Sequence, residues 1–123
     1  MSDSSLTLET FFSGHEDARQ LFESVRRLIE TIGPAEIRVS KSQIAFRRRT
    51  VFALVWMPGQ YLRGKIAPLA LTIQLRRRDV SPRWKEVVEP SPGRYTHHLE
   101  LYSIDDSDGE VGAWLQEAYT AAG

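Results

Sequence analysis

Residues 84–101 read WKEVVEPSPGRYTHHLEL. Pro92 fixes φ and Gly93 tolerates a positive φ, so Ser91-Pro92-Gly93 forms a turn between two segments that favour strand. Beyond the turn, Arg94 to Tyr102 alternates with the period of two of an extended chain. Tyr95, His97, Leu99 and Leu101 share one face, and Arg94, Thr96, His98, Glu100 and Tyr102 share the other. The first face is the more apolar and is expected on the core. That makes His97 the buried histidine and His98 the accessible one. Val87 and Val88 precede the turn and are expected to pair back across it.

Other strand signals lie upstream. Leu69 to Arg76 alternates, with Leu69, Leu71, Ile73 and Leu75 opposite Ala70, Thr72, Gln74 and Arg76. Val51 to Met57 is apolar on both faces and reads as a central strand. Glu36 to Ser40 and Gln43 to Arg48 are shorter candidates joined by a Lys41-Ser42 turn. Tyr61 to Pro68 is ambiguous, because Gly64 and Pro68 argue against one continuous strand.

Helical signals bracket these strands. Ala18, Leu21, Phe22, Val25, Leu28, Ile29 and Ile32 recur at spacings of three and four and make one apolar stripe. Ser13 and Glu16 have the spacing of a capping box at its start, and Gly33-Pro34 ends it. Near the C-terminus Val111, Trp114, Leu115, Ala118 and Tyr119 form a second stripe, preceded by Ser107 and Glu110 at capping-box spacing. Leu6, Leu8, Phe11 and Phe12 suggest a segment that docks on the core after a loose tail within residues 1–10. Two amphipathic helices need an apolar surface, and one sheet face supplies it. The expected fold is a two-layer α+β domain, an antiparallel β-meander with an N-terminal and a C-terminal helix packed on one face.

The chain of 123 residues is expected to be one domain, large enough to bury a core without a metal or disulfide. It contains no cysteine, which excludes disulfides and thiolate zinc ligation. The N-terminus lacks a basic region followed by an apolar run, and no apolar segment is long enough to span a membrane. A soluble cytoplasmic protein is expected. The formal net charge of zero conceals a strong pattern. Residues 38–85 hold twelve basic residues against Asp79 alone, whereas residues 86–123 hold eight acidic residues against Arg94 alone. Residues 1–37 are acidic as well, with seven acidic residues and three basic. Such asymmetry suits an anion-binding surface. Neutralisation within the fold, with acidic helices beside a basic sheet, is the plainer reading of the pattern.

The segments GHEDARQLFESVRRLIETIGP, VSKSQIAFRRR, RWKEVVEPSPGRYTHHLEL and VGAWLQEAY resemble, in combination, a bacterial family of domains of unknown function catalogued as family 5655. The resemblance runs from about Phe11 to Tyr119. That family has no settled activity, so the resemblance implies fold and domain extent alone.

Candidate chemistry is sparse. His98 and Glu100 lie two apart on the polar face, and imidazole beside carboxylate is an acid–base arrangement. With His15 as a distant third ligand the pair would begin a metal site. A surface pair on a strand is the plainer reading, and no metal or cofactor is expected. Lys41 between two serines can hold a phosphate or carboxylate, or simply sit in water at a hairpin turn. The sequence has no P-loop, G-x-G-x-x-G, H-E-x-x-H or G-x-S-x-G. Aromatics interleaved with arginines can stack bases while cations hold phosphates, although most tryptophans in a small domain serve the core. Trp114 is expected in the core, and Trp84, between Arg83 and Lys85, at a pocket rim.

The preferred reading is a binding module for an anionic ligand, nucleic acid or a small molecule bearing phosphate or carboxylate. The residues expected to carry it are Lys41, Arg47, Arg49, Arg76, Arg78, Arg83 and Lys85. Two alternatives stand beside it: an enzyme centred on His98 and Glu100, and a protein-interaction module in which the basic middle of one copy meets the acidic ends of another.

Overall fold

The computed structural model describes residues 7–60 and 66–123. A single turn of helix, α1 (Leu8–Phe11), leads into α2 (Glu16–Ile32). Three strands follow, β1 (Glu36–Val39), β2 (Ile44–Arg47) and β3 (Val51–Trp56), and then β4 (Leu69–Leu75). The last hairpin comprises β5 (Glu86–Ser91) and β6 (Arg94–Leu101), and α3 (Gly109–Ala121) closes the chain. Short 3-10 turns cover Pro58–Gln60 and Ile104–Asp106. Leu6, Tyr61, Arg63 and Lys65 lie outside the described residues, as does much of the ambiguous segment 61–68.

All neighbours in the six-stranded sheet are antiparallel, in the order β1-β2-β3-β4-β6-β5. The meander runs through β4. The chain then crosses to the outer edge for β5 and returns, so that β6 lies beside β4. Both helices cover one face, and the expected fold class is the one the structure has. Phe22 of α2 stacks on Phe46 at 5.9 Å between ring centroids, and Phe12, Val25 and Ile29 bury with it. Helix α3 packs over β3 and β4, with Trp114 and Leu115 in the same core.

Alternation along β6 follows the sequence expectation. His97 pairs with Ile73 and is 0% exposed on the helix side, while His98 pairs with Thr72 on the other face. One departure from alternation is instructive. Phe46 pairs with Ala53 but Arg47 pairs with Val51, so Phe52 is the extra residue of a β-bulge. The bulge turns Phe52 inward, where its ring meets Tyr119 edge-on at 5.4 Å. This allows β3 to bury neighbouring residues on the same side.

The helix starts differ from the sequence expectation. Neither proposed capping box forms. Gly14 turns with φ +80°, His15 becomes the N-cap of α2 without a side-chain bond, and Ser13 is left outside. At α3 the N-cap is Asp108, whose carboxylate accepts from Val111 N at 3.1 Å. Ser107 instead meets the Ser24 hydroxyl at 2.8 Å, and Glu110 takes Arg83. The reciprocal box belongs to Ser103 and Asp106, one turn earlier. Pro90 lies inside β5, tolerated because that strand is at the sheet edge and irregular between Val88 and Ser91.

Trp84 is a second correction. It is buried, 9% exposed, rather than at a rim. The crossing segment 76–85 passes along the helix side of the sheet and carries the indole inward. There it packs on Trp114 at 4.2 Å and His97 at 4.7 Å.

Candidate anion site and the open sheet face

Register places the ends of three strands together. Arg47 ends β2 opposite Val51, Leu75 pairs with Tyr95, and Arg76 and Arg94 continue that pair outward. Arg47, Arg49, Arg76 and Arg78 from the expected set therefore lie at one end of the sheet. Arg94 joins them, although the sequence reading counted it only as a lone base in an acidic third. No sequence signal places it there, because Arg94 reaches this end only when β6 rather than β5 pairs with β4. A groove of about 370 Å³ opens at this end, lined by Thr50, Val51, Gln74, Arg76, Arg94 and the last turn of α3.

Some of this positive charge serves the fold. Arg48 donates to the Tyr119 carbonyl at 3.0 Å and lies over the Tyr119 ring at 4.1 Å. Arg76 donates to the Ala121 carbonyl at 2.9 Å. The Arg49 amide donates to the Ala122 carbonyl at 3.0 Å. Cations and donors at a helix C-terminus offset its partial negative charge and satisfy its free carbonyls. Arg47 shares Glu36 at 3.6 Å, and Arg78 lies over the Tyr95 ring at 5.5 Å. Among the described residues no carboxylate pairs with Arg49, Arg76, Arg78 or Arg94.

The remaining expected residues lie elsewhere. Arg83 is held by Asp108 and Glu110 at 3.0 and 2.9 Å, at the N-terminus of α3 and hence the far end of that helix. The hydrogen bond with Glu110 leads the contacts that push its pKa up. Lys85 lies 4.0 Å from Glu100. Lys41 occupies the β1–β2 turn, and the pairing of Ile44 with Val55 puts that turn at the end opposite Arg47. Arg77, outside the expected set, forms a two-pronged contact with Glu117 at 2.9 Å. Charge neutralisation thus accounts for Arg77 and Arg83, reaches Arg47 through Glu36, and leaves Arg49, Arg76, Arg78 and Arg94.

The helix-free face of the sheet carries the second candidate. Thr72 is 1% exposed there. Its hydroxyl accepts from the Trp56 indole N–H at 3.0 Å and lies 2.8 Å from His98 Nδ1. Indole can only donate, and the Thr72 hydroxyl has no acceptor other than His98 Nδ1 among the described residues, so the tautomer that uses the buried hydroxyl proton has His98 Nδ1 accepting it. This arrangement puts the imidazole proton on Nε2. Burial also pushes the His98 pKa down, partly opposed by the Glu86 carboxylate across the strand pair. His98 is half-buried, not freely accessible, because Trp56 leans on it edge-to-face at 6.2 Å. Glu100 turns to Tyr102, whose hydroxyl donates to it at 3.2 Å. Among the described residues His98 thus hydrogen-bonds the Thr72 hydroxyl and not Glu100. A hydroxyl on an imidazole resembles an activated nucleophile, but Thr72 is too deeply buried, and already occupied by Trp56, to reach an electrophile.

His15 is on the helix layer and His98 on the opposite face, so they cannot share an ion. Among the described residues no three histidine or acidic side chains cluster as metal ligands. His97 is structural. Its Nε2 accepts from the Asp79 amide at 3.0 Å and its Nδ1 donates to the Tyr95 carbonyl at 3.1 Å. Asp79, the lone acid of the basic middle, was overlooked in the sequence. Its carboxylate accepts from Trp84 Nε1 at 2.8 Å, the Ser81 amide at 3.0 Å and Arg77 at 2.9 Å. Burial works against its charge, but these donors hold its pKa below the usual carboxylate value.

No helix among the described residues is long and apolar enough to cross a membrane. Comparison with curated proteins and with solved structures gives no match. Residues 8–122 match the model of a domain of unknown function, DUF5655. That match spans every helix and strand described above, and the chain belongs to the DUF5655 family.

Proposed function

We propose that this domain binds a phosphate-bearing anion at the arginine end of the sheet. The observation that carries the reading is the groove of about 370 Å³ flanked by Arg76 and Arg94, neither of which has a carboxylate partner among the described residues. Arg47, Arg49 and Arg78 border the same end and add to its field. Guanidinium groups suit phosphate because their fork of donors matches two oxygens at once. Arg83, Lys85 and Lys41 stand outside this site, the first two beside acids and the third at the other end of the sheet.

Titration calorimetry with inorganic tripolyphosphate at low salt tests the reading. Binding is expected, and it should weaken as salt rises. Arg76→Glu combined with Arg94→Glu should remove it, and Lys41→Glu should leave it intact. Loss of binding in Lys41→Glu but not in the double variant would place the site at the wrong end. Absence of binding to the native chain would overturn the anion reading. A mass that rises with protein concentration would then favour self-association.

A further inference from the structure

The arginine end does not stop at the groove. Gln74 lines it and also lies on the helix-free face, one alternation from Thr72. Its amide oxygen accepts from the Thr96 hydroxyl at 2.9 Å. That bond leaves the amide N–H groups as donors without a partner among the described residues. Next comes His98, whose Nε2–H also has no partner among the described residues. Beyond it stands Trp56, its own N–H turned inward to Thr72, so the ring rather than the polar edge is left for a ligand. Along β4, from Leu75 at the arginine end to Ala70 opposite Trp56 is five residues of regular strand, about 17 Å at the usual rise. Glu86 pairs with His98 and Glu100 follows it on β6, so negative charge borders the β6 side of this track, while the β3–β4 side presents none among the described residues.

From this order of groups we infer that the ligand is single-stranded nucleic acid, laid across the open face with phosphates at the arginine end and a base against Trp56. The inference rests on the anion reading above. A positive strip that tracks the backbone and an aromatic side chain that stacks a base are the two parts such binding requires. The neutral donors of Gln74 and His98 suit the carbonyl and ring-nitrogen acceptors of unpaired bases. A duplex keeps its bases stacked and offers Trp56 nothing to stack on. Because the phosphates position and the ring accepts any base, little sequence preference is expected.

The test compares three probes on the native chain: tripolyphosphate, a labelled DNA or RNA homopolymer of about ten nucleotides, and a duplex of equal length. The single strand should bind tightest, with a log–log salt slope of about −0.7 per phosphate contacted. Trp56→Ala, checked for folding by circular dichroism, should weaken the single strand roughly 5- to 150-fold, the equivalent of 1–3 kcal/mol per stacked base. The same variant should leave tripolyphosphate unchanged. Ultraviolet crosslinking of a bromouracil-containing strand to the native chain should map to Trp56, which guards against a variant that fails to fold. Comparable DNA and RNA affinities are compatible with the inference, and a large difference assigns the natural strand. Tripolyphosphate binding without single-strand binding, a duplex that binds as well as the single strand, or a crosslink away from Trp56 would each overturn the inference and leave the arginine site standing. If neither tripolyphosphate nor any nucleic acid binds, both fall together.

Discussion

His97 and His98 are neighbours in sequence and opposites in environment. His97 bridges the Asp79 amide and the Tyr95 carbonyl beneath Trp84, so His97→Ala removes two buried hydrogen bonds and a ring contact. A loss of about 3 kcal/mol or more is expected. His98→Ala strips one partner from Thr72 at a more open surface, and about 1 kcal/mol is expected. Paired urea titrations measure both. Equal effects would mean that the two rings are not divided between core and face. The pH dependence has a definite sign. Burial lowers the pKa of both rings below the ordinary value near 6.5. Below pH 6.5 the unfolded chain therefore binds more protons than the folded one. This contribution to stability is full above pH 6.5 and is lost as pH falls from there toward the folded pKa values. The urea midpoint should drop between pH 7 and pH 5, and less steeply in either histidine variant. The division between the two rings was legible in the sequence because alternation alone assigns it. The Thr72 contact was not, since it depends on which strand lies beside β6.

At the scale of elements, one close approach ties α3 to the chain just past α2. The Tyr119 hydroxyl of α3 donates to the Pro34 carbonyl at 2.7 Å, just past the end of α2. A Cβ added at Gly33 would collide with that hydroxyl and would stand 2.9 Å from Tyr119 Cζ. Gly33→Ala should therefore push α3 away and lower the melting temperature, whereas Tyr119→Phe should cost only the hydrogen bond, about 1 kcal/mol. The reverse ranking by thermal melts would deny that the contact is steric. Trp114→Ala should cost on the order of 3–5 kcal/mol, because it opens a cavity against Trp84 and the crossing segment. An unchanged denaturation midpoint would mean that the ring is not core. The sequence revealed the helices through their stripes and the strands through alternation and turns. It did not reveal that segment 76–85 crosses beneath α3, because that depends on β6 rather than β5 taking the place beside β4. The misplacement of Trp84 follows directly. A tryptophan between Arg83 and Lys85 reads as surface until the crossing is known, after which Arg83 turns to Asp108 and the indole turns inward.

At the scale of the molecule, the acidic ends of the chain do not cover the basic middle evenly. Acids from α3 and its N-terminal cap hold Arg77 and Arg83, while at the sheet end Arg48 and Arg76 turn to helix carbonyls, Arg78 to the Tyr95 ring and Arg47 to Glu36. Composition could show the imbalance but not its address, since that requires the register that aligns Arg47, Arg76 and Arg94. Like charges gathered at one end repel and cost stability, and a ligand that neutralises them acts on the folded state alone. Linkage then gives a measurable consequence. A ligand at 100 times its dissociation constant stabilises by about 2.7 kcal/mol. For a domain of this size that corresponds to a melting temperature raised by on the order of 10 °C. Tripolyphosphate should produce such a rise at low salt. Sodium chloride at matched ionic strength should produce much less, because it screens without occupying the groove. In Arg76→Glu with Arg94→Glu the two additives should become equivalent. An equal rise from both additives in the native chain would mean that the arginine end gains only from screening, with no phosphate seated in the groove between β4, β6 and α3.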